Sequence, residues 1–166
     1  MEVSKLIALA SKIDQLDYYQ VLGLQRDASL SKIRSAYHRR ARTIHPDLFY
    51  EHPNEEFRFA ISKIFKRVTE AYTILRDEEK RKHYDRGLTG EKKKLRYTDE
   101  DDQKLRQEKK AESGKTPQGR KLYEEAMRLY GIKELKKAVQ TMRMAVVFEN
   151  DNEHFQKLLE KWQEEM

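Results

Sequence analysis

The sequence contains no cysteine, and it has only three prolines and six glycines among its 166 residues. Without cysteine, disulfide bonds, thiolate zinc sites and cysteine nucleophiles are excluded. So few prolines and glycines leave few tight turns, which favours helices over a β-sandwich or a β-barrel. The sequence therefore predicts an all-α fold.

Long apolar runs are also missing. Residues 6–10 form a short apolar run near the N-terminus, flanked by Lys5 and Lys12, and a secretory signal needs ~7–15 apolar residues. No stretch approaches the ~20 residues of a membrane-spanning helix. We therefore expect a cytoplasmic protein with no membrane partner.

Charge is abundant and unevenly placed. Charged residues make up 39% of the chain, against roughly 25% in an ordinary globular protein. The net charge is +6; residues 1–88 carry 17 basic and 13 acidic side chains, whereas residues 119–166 carry 9 of each. The positive field therefore belongs to the N-terminal half, where we expect an acidic protein surface as partner or, alternatively, nucleic acid.

Cap and stop residues divide the N-terminal half into helices. Asp17 and Ser29 are of the types that cap a helix, and Gly23 is of the type that ends one. Pro46 disfavours helical geometry in the residue before it. We predict a lead-in helix within residues 1–16, a short helix that ends at Gly23, a helix from Ser29 to about residue 44, a loop over 48–53, a long amphipathic helix after Asn54, and a last helix that begins at Asp77 and ends at Gly87.

The C-terminal half divides into two parts. Residues 89–116 are highly charged with almost nothing to bury, so we predict a charged linker that is partly helical, with a helix near 99–112. Thr116 followed by Pro117 is a helix start. Apolar residues at helical spacing then predict a helical hairpin and a capping helix within residues 117–166, with helices at about 117–130, 134–148 and 153–164.

The helix at 30–44 carries charge of one sign, because no acidic residue occurs from Ala28 to Pro46. At about 100° per residue, its predicted buried face consists of Leu30, Ile33, Tyr37, Ala41 and Ile44. Arg34, His38 and Arg42 share the adjacent face, and Arg39 lies further round. The helix leads into the tripeptide His45-Pro46-Asp47.

Three segments together resemble the J-domain of DnaJ-type co-chaperones. They are DYYQVLGL at 17–24, AYHRRARTIHPD at 36–47 and EAYTILRDEEKRKHYDRG at 70–87. A His-Pro-Asp tripeptide alone is a weak signal, but its place among four helices in this order is specific. The resemblance implies a J-domain over residues 17–88, with two antiparallel long helices.

The resemblance also implies a function. J-domains stimulate ATP hydrolysis by a DnaK-type heat-shock chaperone of 70 kDa and carry no catalytic group, so we expect no enzyme activity and no cofactor or metal ion. The implied contact loop is His45, Pro46 and Asp47. The implied docking face on the preceding helix is Arg34, His38, Arg39 and Arg42. Arg40 stands where the family usually has an apolar residue, and we expect its stem to lie along the core edge with its head in water.

Residues 119–152 resemble a single tetratricopeptide repeat, with Ala126, Ala138 and Ala145 at the positions of small residues. A single repeat cannot form the concave groove of a repeat array. We therefore predict that the hairpin serves for targeting or partner choice, through a protein partner that the sequence does not identify.

These motifs also admit other interpretations. The tripeptide could simply stop a helix, and the chain could be an adaptor that uses the fold as a docking surface without stimulating hydrolysis. Nucleic acid is the less favoured partner, because the basic face lacks interleaved aromatic side chains. Gly114-Lys115-Thr116 matches the end of a phosphate-binding loop, but the first glycine of that motif is missing. His38, His45 and His52 lack the spacing of metal ligands.

Overall fold

The structure, a computed structural model of the chain, describes residues 3–89 and 94–166. These residues form an all-α fold. None of the helices among them is long and apolar enough to span a membrane. The helices are α1 (Val3–Lys12), α2 (Tyr18–Leu22), α3 (Leu30–Thr43), α4 (Glu55–Leu75), α5 (Glu78–Thr89), α6 (Asp99–Glu112), α7 (Pro117–Gly131), α8 (Leu135–Phe148) and α9 (Glu153–Glu164).

The chain divides into two compact units, Met1–Asp102 and Gln103–Met166, which we call the N-terminal and C-terminal units. In the N-terminal unit, α4 is the central helix and packs against α1, α2, α3 and α5. As the 3.6-residue period predicts, α4 buries an apolar stripe that consists of Phe57, Ile61, Ile64, Val68, Ala71 and Leu75. Residues 44–54 join α3 to α4, and the two long helices pack against each other.

Side-chain caps start the helices of the N-terminal unit where the sequence predicts them. Asp17 accepts a hydrogen bond from the backbone N–H of Gln20, whose side chain accepts from the N–H of Asp17, so α2 has a complete capping box. Ser29 caps α3 and Asn54 caps α4 in the same way, through side-chain oxygens that accept from backbone N–H groups. These local bonds fix where α2, α3 and α4 begin, and the Asn54 cap also marks the end of the loop between α3 and α4.

The predicted buried face of α3 is only partly correct. Ile33 and Ile44 are buried, and the ring of Tyr37 stacks on that of Tyr72 with centroids 4.1 Å apart. The prediction for Leu30 is wrong, because its side chain is 51% exposed. Leu30 is the first residue of α3, so the core is covered by the later turns of the helix while this end projects beyond it.

The prediction that Gly87 ends α5 is also wrong. The helix continues to Thr89, and Leu88 is buried in the core. Burial of a leucine side chain stabilises by roughly 1.5–3 kcal/mol, which exceeds the ~1 kcal/mol cost of glycine in a helix. Packing therefore extends α5 past the residue that sequence rules favour as its end.

The segment before α6 has contacts that the charged-linker prediction did not anticipate. Leu95 and Tyr97 pack against the core of the N-terminal unit. The backbone N–H of Tyr97 donates to the hydroxyl of Tyr18 at 2.9 Å, and the hydroxyl of Tyr84 donates to the carbonyl of Leu95 at 3.1 Å. Residues 94–98 therefore lie on the N-terminal unit, whereas the predicted division of the chain at 89 and 116 stays a prediction.

The C-terminal unit is built from α7, α8 and α9 around a core of its own. Two pairs of stacked rings join α7 to α9: Tyr123 with Phe155, and Tyr130 with Trp162, whose centroids lie 4.5 Å apart. The helices match the predicted hairpin and capping helix. The likeness of this part to a tetratricopeptide repeat stays a prediction.

Gly23 gives a first testable prediction about this fold. It has φ of +68°, and a Cβ at this position would lie 2.7 Å from Nη2 of Arg40. We expect Gly23→Ala to lower the free energy of unfolding by about 1–2 kcal/mol, because an L-residue is strained in this conformation. Gly87→Ala is the matched control: the nearest atom would lie at 3.5 Å, and alanine favours the helix by about 1 kcal/mol. Urea unfolding followed by circular dichroism measures both, and equal effects would contradict the prediction.

Candidate partner-docking site

The tripeptide His45-Pro46-Asp47 lies at the turn between α3 and α4. Pro46 to Phe49 form a single 3₁₀ turn, and His45 is its N-cap residue. Nδ1 of His45 accepts a hydrogen bond from the backbone N–H of Asp47 at 3.3 Å. The imidazole lies edge-on to the ring of Phe65, with centroids 4.9 Å apart. Both contacts hold the half-exposed His45 ring in one orientation on α4.

Asp47 is presented to solvent. Its side chain is 87% exposed, and one carboxylate oxygen lies 3.4 Å from Nδ1 of His45. The 3₁₀ turn orients the carboxylate without burying it. An exposed carboxylate on a rigid turn can accept two parallel hydrogen bonds from a guanidinium of a partner.

The basic face of α3 lies directly before this turn. Arg34, His38, Arg39 and Arg42 are all exposed. Among the described residues, the three arginines have no acidic partner. By contrast, Lys82 on α5 pairs with Glu78 at 2.8 Å. The positive charge of α3 is therefore exposed and not neutralised within the described part of the chain, and its docking to an acidic surface stays a prediction.

Arg40 faces the core side of α3 instead. Its guanidinium lies beside Gly23, and within the described part of the chain its buried Nε has no hydrogen-bond partner. Burial lowers the pKa of Arg40, and the neighbouring charge of Arg39 lowers it further. Its head is thus less solvated than the sequence predicts, and Arg40 does not contribute to the exposed basic face.

Two aromatic residues beside the turn are absent from the predicted site. Tyr50 follows it directly and is 81% exposed, and Phe59 on α4 is 70% exposed. Phe59 lies two residues from both Phe57 and Ile61, off the apolar stripe, and this offset is the signal that could have identified it. The contact of His45 with Phe65 of α4 depends on how α3 and α4 pack.

The described residues contain no group of three His, Asp or Glu side chains that could hold a metal ion. His45 and His52 each use Nδ1 to accept a backbone N–H two residues ahead. The arrangement at the turn is therefore one of exposed charge on a rigid scaffold, which suits binding to another macromolecule.

Comparison with known proteins finds similarity over the N-terminal part of the chain, which contains the turn at His45-Pro46-Asp47. The family described as the DnaJ domain matches residues 17–85. A chaperone protein DnaJ of Hydrogenobacter thermophilus is 44% identical over 81 residues, which are 48% of this chain and 21% of that protein. A curved DNA-binding protein of Coxiella burnetii is 48% identical over 69 residues, which are 42% of this chain and 20% of that protein. No solved structure matches the chain.

The matched segment, residues 17–85, is similar to a DnaJ domain and lies within the N-terminal unit. The chain spans about a fifth of the length of the curated relatives it matches. The likeness therefore concerns the N-terminal unit, and α7 to α9 lie outside the matched residues.

Proposed function

We propose that this protein is a J-domain co-chaperone that stimulates ATP hydrolysis by a DnaK-type heat-shock chaperone. One observation carries the proposal: within the segment that matches the DnaJ domain, the turn at His45-Pro46-Asp47 follows a helix whose exposed arginines have no acidic partner among the described residues. Chaperone proteins named DnaJ are among the relatives that match this domain. The proposed activity needs no catalytic group, cofactor or metal ion of this chain.

The proposed contact has two parts with different physical roles. Arg34, Arg39 and Arg42, together with His38, attract an acidic surface of the chaperone, which speeds encounter and weakens with salt. Asp47 is the one acidic side chain in this positive field from Ala28 onward to the turn. It accepts hydrogen bonds from a cationic group of the chaperone and so sets the register of the complex.

The proposal is tested by single-turnover ATP hydrolysis, with His45→Gln as the variant. We expect the wild-type chain to raise the rate of ATP hydrolysis at least about tenfold, which corresponds to an activation barrier lower by ~1.4 kcal/mol. We expect His45→Gln to lose this stimulation. Glutamine stays polar but cannot reproduce both the cap to Asp47 and the contact with Phe65. The rate of a chaperone preloaded with ATP is measured against co-chaperone concentration.

His52→Gln is the matched control. His52 also accepts a backbone N–H through Nδ1 and packs on a phenylalanine, Phe57, at 4.5 Å between ring centroids. We expect this variant to stimulate like the wild type. If both variants fold by circular dichroism and lose stimulation equally, the role of the tripeptide is contradicted. If the wild type does not stimulate at all, the chain is a non-stimulating adaptor.

The proposal extends to the C-terminal unit and to the cellular location. Residues 117–166 lie outside the DnaJ domain and have a core of their own, which supports a separate role in targeting or partner choice. We also propose a cytoplasmic location, where the basic face of α3 would meet the DnaK-type chaperone.

Nucleic-acid binding is the second candidate. One matching relative is named a curved DNA-binding protein, and α3 presents basic side chains that could contact phosphates. If this candidate holds, affinity for a DNA duplex falls steeply with salt, with a log–log slope of about −0.9 per neutralised phosphate. Such a slope without any stimulation of hydrolysis would favour this candidate.

A further inference from the structure

The large apolar side chains exposed on the N-terminal unit cluster near the turn. Four are exposed among the described residues of this unit: Leu30, Leu48, Tyr50 and Phe59. Leu48 and Tyr50 lie on the turn or directly after it, and Phe59 lies on the first turns of α4. Only Leu30 lies elsewhere, at the far end of α3 about 20 Å away at 1.5 Å per residue.

Tyr50 and Phe59 line one groove together with Pro46 and Asp47 of the tripeptide. The other residues that line this groove, which we call the loop groove, are Phe49, Glu55, Arg58 and Ser62. Arg58 is held there by a hydrogen bond from its guanidinium to the carbonyl of His52. A partner surface that covers Asp47 would therefore also cover the loop groove.

Two neighbouring aromatic residues pack in the fold, although Tyr50 and Phe59 are exposed. Phe57 is buried, and the ring of Phe49 lies edge-on to it with centroids 5.3 Å apart. The loop thus packs on α4 through the contact of Phe49 with Phe57, whereas Tyr50 and Phe59 are exposed to water. Exposed aromatic side chains beside polar groups are typical of the central part of a protein interface.

We propose that Tyr50 and Phe59 bind an apolar surface of the same DnaK-type chaperone that His45-Pro46-Asp47 engages. The inference rests on the proposed function and adds a second kind of contact to it. The arginines of α3 control how fast the complex forms, and they act through salt-sensitive attraction. Tyr50 and Phe59 slow its dissociation through burial of apolar area, which salt does not screen.

The test uses the double variant Tyr50→Ser/Phe59→Gln in the full chain. Both side chains are exposed, so the fold should persist, and circular dichroism checks it. We expect the co-chaperone concentration for half-maximal stimulation to rise about tenfold (~1.4 kcal/mol), with the maximal rate unchanged. We also expect the salt dependence of binding to keep the wild-type slope.

Leu30→Gln is the matched control, since it removes an exposed apolar side chain from the same unit far from the turn. We expect this variant to behave like the wild type. Equal half-maximal concentrations for the double variant and the wild type would overturn the inference, while loss of stimulation by His45→Gln would leave the proposed function standing. If the wild type does not stimulate, both proposals fail.

A second copy of this chain is the other possible occupant of the loop groove. Sedimentation velocity of the wild type and of the double variant distinguishes the two cases. A monomer in both is the expected result. A wild-type dimer that the double variant dissociates would assign Tyr50 and Phe59 to self-association and would overturn the inference.

Discussion

Replacing Arg67 by methionine is expected to lower the free energy of unfolding of the N-terminal unit by about 3–5 kcal/mol, the range typical when one partner of a buried ion pair is removed. Arg67 lies on the central helix α4 and is 1% exposed. Methionine has a similar length and stays apolar. The expected loss therefore comes from the polar groups that the guanidinium leaves behind.

Three segments meet at the Arg67 guanidinium. Nη2 donates to the carbonyls of Leu16 at 3.0 Å and Leu95 at 2.8 Å, and Nη1 donates to a carboxylate oxygen of Glu70 at 3.1 Å. The guanidinium also lies over the ring of Tyr18, 4.6 Å from its centroid. Methionine would leave the carbonyl of Leu16 without this donor, the carbonyl of Leu95 with only the Tyr84 hydroxyl, and the carboxylate of Glu70 without its nearest cation.

Arg76→Met is the matched control. Arg76 lies at the C-terminal end of α4, and its guanidinium lies over the ring of Tyr72, 5.3 Å from the centroid. Unlike Arg67, Arg76 is exposed. We expect a change below about 1 kcal/mol for this variant, as is usual for surface positions. Urea unfolding followed by far-ultraviolet circular dichroism measures both variants. Similar small losses for the two would show that the Arg67 contacts contribute little.

Glu149→Gln is expected to destabilise the C-terminal unit by roughly 3 kcal/mol at neutral pH and to remove a pH dependence. The Glu149 carboxylate is 3% exposed and lies at the start of α7. One oxygen accepts from the N–H and the hydroxyl of Thr116, both at 2.7 Å, and the other accepts from the N–H of Lys115 and the amide of Asn152. A carboxylate accepts from all four donors, whereas glutamine would place an NH₂ donor opposite two of them.

Burial alone would raise the pKa of Glu149, but the hydrogen bonds from Thr116, Lys115 and Asn152 outweigh it and lower the pKa to about 2. The ordinary value is 4.5. Because the folded state holds the carboxylate at a lower pKa than the unfolded chain, stability is present above about pH 4.5 and is lost as the pH falls towards about 2. A difference of this size corresponds to roughly 3 kcal/mol at 1.36 kcal/mol per unit.

Trp162 makes the measurement selective. It is the single tryptophan of the chain, and it is buried in the core of the C-terminal unit. Urea unfolding followed by its fluorescence at several pH values between 7 and 3 should show a gap between wild type and Glu149→Gln that narrows as the pH falls. Glu124→Gln, at an exposed position of α7, should follow the wild type. A gap that stays constant with pH would contradict the assignment to Glu149.

The helices and the tripeptide could be predicted because their signals are local. Asp17, Ser29 and Asn54 cap helices through bonds to residues three positions ahead, and such bonds depend only on residues within one turn. The stripe of α4 is likewise a property of one segment. For the same reason the position of His45-Pro46-Asp47, between two helices, follows from the sequence and from its resemblance to a J-domain.

The exposure of particular side chains could not be predicted in the same way. Leu30 falls on the apolar face that the helical period of α3 predicts, yet it is exposed at the first turn of that helix. Leu88 is buried, and α5 continues past Gly87 to include it. Which end of a helix is covered depends on its neighbours in space.

The sequence by itself determined an all-α chain with a basic helix, a His-Pro-Asp turn and a separate C-terminal helical part. Only the tertiary structure decided what the remaining polar motifs do. The backbone N–H groups of Lys115 and Thr116, in a motif like the end of a phosphate loop, bind the carboxylate of Glu149, and a Cβ on Gly119 would lie 2.0 Å from its oxygen. Likewise, Arg67 joins carbonyls at residues 16 and 95. Partners separated by 28 to 51 positions meet through packing of whole helices, which no local pattern of residues encodes.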